Sequence, residues 1–148
     1  AIMWVHFLTP FPLMTHAIPI TATLTAVLGL LLVFLGLNIS RYRMKFKIGL
    51  GDGGNFVLNK AIRAHGYTAE HAPIFILLTL VYEIVVGSTG FLMGCATVFV
   101  LARLLFIYGM FSYTGKRASN PRMYSSSVNY AVQLVLAVAL LVQVFVST

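Results

Sequence analysis

Four apolar stretches, each long enough to cross a bilayer as a helix, leave this chain few folds to choose from. They occupy about residues 18–39, 55–86, 91–113 and 124–146. About 20 residues at 1.5 Å per residue cross the hydrocarbon core. Inside lipid the backbone must satisfy its own hydrogen bonds, so isolated apolar stretches of this length become helices. Composition agrees: of 148 residues, 59% are hydrophobic and only 9% charged, against roughly 25% charged in a soluble domain. The expected fold class is an all-α integral membrane protein, a four-transmembrane-helix bundle surrounded by lipid. A separate soluble domain does not fit.

The net charge of +7 would suggest a nucleic-acid partner in a soluble protein. The placement of the cations argues against one. Arg41, Arg43, Lys45 and Lys47 close the first stretch, and Lys60 and Arg63 open the second. Arg103 lies in the third, and Lys116, Arg117 and Arg122 precede the fourth. The link at 87–90 and both termini carry no cation. By the positive-inside rule the two basic loops are expected to be cytoplasmic, with both termini on the other side. Residues 1–13, AIMWVHFLTPFPL, are too short to span, and Pro10 and Pro12 break a helix there. They lack a basic n-region, so they do not read as a cleavable signal peptide. They read as an apolar N-terminal extension at the membrane surface, before a four-helix domain over 14–148 that starts naturally at Met14. Its Trp4, Phe7 and Phe11 suit lipid or a partner protein.

Residues 55–82, NFVLNKAIRAHGYTAEHAPIFILLTLVY, are the organising stretch. They read as one helix, charged in its first half and apolar after Pro73, where a kink is expected. Charges within a span usually face a bundle interior and mark a site. Arg63, Tyr67 and Glu70 stand at i, i+4 and i+7, on one helical face. Two readings follow. In one, the in-span charges pair internally, Arg63 with Glu70 and Arg103 with Glu70 or Glu83. In the other, Arg41 or Arg43, Arg63, Arg103 and Arg122 form an anion pocket, because guanidinium groups grip carboxylates in bidentate fashion. Glu70 then takes an ammonium group. Such a pocket suits a ligand with carboxylates and an amine, and nearby cations would favour a ligand thiolate. Ser125, Ser126 and Ser127 read either as a helix N-terminal cap or as a hydroxyl donor to that thiolate.

Other features carry less. Gly49, Gly51 and Gly54 match G-x-G-x-x-G, but that motif needs a preceding strand; the glycines read as a turn, with Asp52 as a helix cap or a contact for nearby cations. Cys95, the single cysteine, cannot form an internal disulfide. The four histidines lack zinc-ligand spacing.

The four-span layout, the basic first loop and LGDGGNFVLNKAIRAHGYTAEHAPIF resemble the MAPEG family, the membrane-associated proteins in eicosanoid and glutathione metabolism. The resemblance rests on Arg63-Ala64-His65, Glu70 and Pro73, with Ala102-Arg103-Leu104 as a second match. It looks most like the bacterial branch, which implies a bacterial inner membrane. It implies a homotrimer that binds glutathione as co-substrate between subunits near the cytoplasmic face. The implied function is a transferase or peroxidase-like activity on lipophilic electrophiles. The implied binding residues are Arg41, Arg43, Arg63, Tyr67, Glu70, His71 and Arg103, with Arg122 and Ser125 at the thiolate. The chain departs from the family at three places. Tyr67 stands where the family usually has Asn, and Phe106 and Met110 replace polar residues that follow the third-span arginine in the human synthases. Those departures keep open an alternative: a catalytically degenerate member serving as a structural or accessory subunit of a larger membrane complex.

Overall fold

A computed structural model describes residues 18–114 and 120–146. The expected extension at 1–13 lies outside them, as do Lys116 and Arg117. The described residues form four helices: α1 (Pro19–Phe46), α2 (Phe56–Val86), α3 (Gly90–Ser112) and α4 (Asn120–Val146). Each is long and apolar enough to cross a membrane. The protein is a multi-pass integral membrane protein. Short connections make successive helices antiparallel, so the end of α1, the start of α2, the end of α3 and the start of α4 share one face. α2 packs against each of the other three helices.

The helix ends follow local chemistry. Pro19 sits in the first turn of α1, where its missing N–H costs nothing. α1 runs seven residues past the expected stretch, so Arg41, Arg43 and Lys45 lie on a helix, not in a loop. Lys47 ends it in a left-handed conformation, φ 55°. Glycines at positive φ then turn the chain: Gly51, Gly53 and Gly54. The cap of α2 is Asn55, not Asp52. The Asn55 side chain accepts from the N–H groups of Val57 and Leu58, both at 3.0 Å. Asp52 instead accepts from the Asn59 amide and the Gly54 N–H, which hold its carboxyl below the usual carboxylate range. α2 continues through Pro73.

The main core joins all four helices through Leu24, Leu28, Phe75, Phe99 and Leu136. The Phe75 and Phe99 rings stack at 3.9 Å. A smaller core, Leu35, Ala64, Phe106 and Met110, lies nearer the basic face. Outward faces remain apolar, with Leu30, Phe34 and Leu37 about two-thirds exposed or more, as expected of surface that meets lipid. At the opposite face Glu83 is buried and tied to α1. Its carboxylate accepts from the Ile20 N–H at 3.0 Å, the Thr21 N–H at 2.8 Å and the Ser88 hydroxyl at 2.6 Å. α1 has no side-chain cap of its own. Glu83 supplies it from α2, a favourable place for an anion.

Candidate functional site

A cleft of about 290 Å³ opens between α2, α3 and α4 near the basic face. α2 contributes Phe56, Asn59, Lys60, Arg63 and Tyr67, which recur at three- and four-residue steps along one face. α3 contributes Phe106 and Met110, and Tyr113 follows its end. α4 contributes Arg122, Met123 and Ser126. One wall is therefore cationic and hydrogen-bonding, while Phe106, Met110 and Met123 make the other apolar. No carboxylate lines it.

The cations are held by aromatic rings. The Arg63 guanidinium lies 5.4 Å from the Tyr67 ring centre, and that of Arg122 lies 4.7 Å from the Tyr113 ring centre. Lys60 donates to the carbonyls of Phe111 at 2.9 Å and Tyr113 at 3.1 Å. Phe111 is in the last turn of α3, whose carbonyls lack partners within the helix, and Tyr113 is the residue that follows it. α4 comes close because Gly109 has no side chain: a Cβ there would lie 2.8 Å from the Arg122 backbone nitrogen.

Arg103 sits directly behind this cleft, 2% exposed. Its guanidinium lies between the rings of Phe99 and Phe106, at 5.3 and 5.6 Å. One nitrogen donates to the Tyr67 carbonyl at 3.4 Å, and its Nε has no hydrogen-bond partner among the described residues. The chain has three acidic residues, and none serves Arg103. Asp52 is committed within its loop, Glu83 caps α1, and Glu70 is exposed on α2. The internal ion pairs expected between Arg63 and Glu70, or from Arg103 to Glu83, are thus replaced by ring and carbonyl contacts.

Of the residues singled out by sequence, the structure brings Arg63, Tyr67 and Arg122 into one cleft. Arg103 is sealed behind it by Tyr67 and Phe106, whose rings meet edge-to-face at 5.3 Å. Glu70 and Arg41 are exposed and outside the lining. Arg43 donates to the Gly49 carbonyl at 3.2 Å and steadies the loop. His71 meets Tyr130 edge-to-face at 5.0 Å. Ser125 neither caps α4 nor lines the cleft. The helix starts earlier than expected, which places Ser125 inside it, buried and donating to the Arg122 carbonyl at 3.1 Å. Ser126, its neighbour, lines the cleft instead. Sequence reasoning passed over Asn59, Lys60, Tyr113 and Met123. The three- and four-residue steps from Phe56 to Tyr67, and from Arg122 to Ser126, were the available signal.

Four membrane-crossing helices, three of which line an arginine-bearing cleft, define a small multi-pass bundle, and the MAPEG family model matches residues 21–142. The chain belongs to the MAPEG family. Among its relatives is the inner membrane protein YecN of Escherichia coli K12, 34% identical over 90 residues, 61% of this chain and 69% of the relative. YecN of Escherichia coli O6:H1 matches to the same extent.

Proposed function

We propose that this chain binds glutathione in the α2–α3–α4 cleft and presents its thiolate to lipophilic electrophiles, as a membrane transferase or peroxidase-like protein. The observation that carries this reading is the pairing of Arg63 and Arg122 on one cleft with no carboxylate in its lining. Two guanidinium groups suit a peptide with two carboxylates, and they favour the deprotonated thiol. Asn59 and Ser126 add neutral hydrogen-bonding groups, and Met110, Met123 and Phe106 offer an apolar wall to the electrophile. In a transfer, the thiol loses its proton to solvent. The thiolate then forms the carbon–sulfur bond while the electrophile's leaving group departs with the electron pair. Orientation within the cleft supplies much of the rate.

Family membership supports a homotrimer. Arg41 and Glu70, exposed and outside the cleft of their own subunit, would then reach the ligand where two subunits meet. YecN is an inner membrane protein, and we place this chain likewise in a bacterial inner membrane, basic loops cytoplasmic and termini opposite.

The test is calorimetry of glutathione with the detergent-solubilised protein. Wild type is expected to bind at millimolar glutathione or below. Arg63→Ala and Arg122→Ala should each weaken binding about tenfold or more, the scale of one charge-assisted hydrogen bond. No heat from wild type at millimolar glutathione would end this reading.

One observation favours a second reading. Phe106 and Met110 leave the floor of the cleft without a hydroxyl, so the chain could hold glutathione without turning it over, as an accessory subunit of a larger membrane complex. Purification in mild detergent separates the two: a stable heteromeric assembly favours the accessory role.

A further inference from the structure

We propose that Lys60 is a positioning residue for Arg122 rather than a ligand for the anion in the cleft. Its functional half rests on the glutathione reading above. Lys60 lines the cleft, so a direct grip on a carboxylate is the obvious alternative. Its bonding argues otherwise. An ammonium group has three donors, and two of these are spent on the Phe111 and Tyr113 carbonyls at 2.9 and 3.1 Å. The ammonium also lies 5.2 Å from the Phe56 ring centre.

What Lys60 fixes is the exit of α3. The last carbonyls of α3 point toward the basic face without helical partners. Beyond them Tyr113 leaves the helix in an extended conformation, φ −70° and ψ 126°. The Tyr113 ring is the surface on which the Arg122 guanidinium rests, at 4.7 Å, and Phe56 backs that ring at 6.0 Å. Lysine, carbonyls, tyrosine ring and guanidinium form one chain of contacts from α2 to α4. At its far end, Gly109 lets the Arg122 backbone press against α3. Without Lys60 the end of α3 is released, and the ring no longer fixes where the arginine charge sits. A misplaced guanidinium still attracts an anion, but it stabilises a thiolate less, because that interaction falls off with distance.

The test compares wild type with Lys60→Gln, Lys60→Arg and Tyr113→Leu as full chains in detergent. Phenylglyoxal modification of Arg122, read by peptide mass spectrometry, reports how firmly the guanidinium is stacked and needs no glutathione. Lys60→Gln and Tyr113→Leu are each expected to speed it several-fold, and Lys60→Arg to restore the wild-type rate. With glutathione, thiolate absorbance against pH should show the bound thiol titrating about one pH unit higher in Lys60→Gln. Affinity should fall less than tenfold. Arg122 modification unchanged in Lys60→Gln overturns the proposal; a tenfold or greater affinity loss beside it identifies Lys60 as a ligand. A wild type that binds no glutathione defeats the functional reading, while the modification rates still decide the positioning role. If Lys60→Gln fails to fold, Lys60→Met answers the same question: Arg122 modified there at the wild-type rate overturns the proposal.

Discussion

Arg103 and Glu83 show how differently two buried charges can be used. Arg103 is sandwiched between aromatic rings with its Nε unpartnered. A buried cation held this way stabilises little, because its desolvation offsets what its contacts return. Arg103→Met is therefore expected to leave the unfolding midpoint in detergent unchanged or to raise it. Glu83 closes two backbone N–H groups and a hydroxyl. Glu83→Ala leaves those donors unsatisfied and should cost about 2 kcal/mol, seen as a lower unfolding midpoint; Glu83→Gln, which keeps one acceptor, should cost less. The sequence marked both residues as in-span charges. It could not assign their partners, because Glu83 bonds across 62 and 63 residues and no local pattern encodes that reach.

At the scale of helices, the existence and order of all four were legible, since uninterrupted apolar length has one outcome in a bilayer. Their ends were not. α1 outlasts its apolar stretch because residues 40–46 contain no Gly or Pro and include Arg41, Arg43, Met44 and Lys45, all good helix formers. α4 begins near Asn120 because Pro121 suits a first helical turn, and that shift removed Ser125 from its expected capping role. The contact between α3 and α4 depends on Gly109. Gly109→Ala places a methyl 2.8 Å from the Arg122 backbone nitrogen. The helices must then separate, at a cost of about 1–3 kcal/mol, measurable by denaturation in mixed micelles. Because Arg122 moves with α4, the same substitution should weaken the glutathione binding proposed for the cleft.

For the molecule as a whole, the candidate site was half legible. Helical periodicity placed Arg63 and Tyr67 on one face, and the cleft contains both. Periodicity also put Glu70 on that face, but at 1.5 Å per residue it lies about 10 Å along α2 from Arg63, past Tyr67, the last α2 residue of the lining. The neighbouring helices that complete the cleft cannot be read from α2 alone. Native mass spectrometry from mild detergent is expected to release three copies of this chain. A single copy as the only species would remove the proposed role of Arg41 and Glu70 at a shared site.

The Glu83 clasp also bears on how the protein is made. α1 leaves the ribosome before α2, but the acceptor for its opening N–H groups arrives only when α2 has been synthesised as far as Glu83. Until then the start of α1 must rely on water at the membrane boundary. Its final docking therefore waits for α2, so α1 enters the bilayer before α2 but is locked in place only when α2 arrives. Glu83→Ala should accordingly lengthen the interval during which a protease added on that side can cut ahead of α1 in a synchronised translation–insertion reaction.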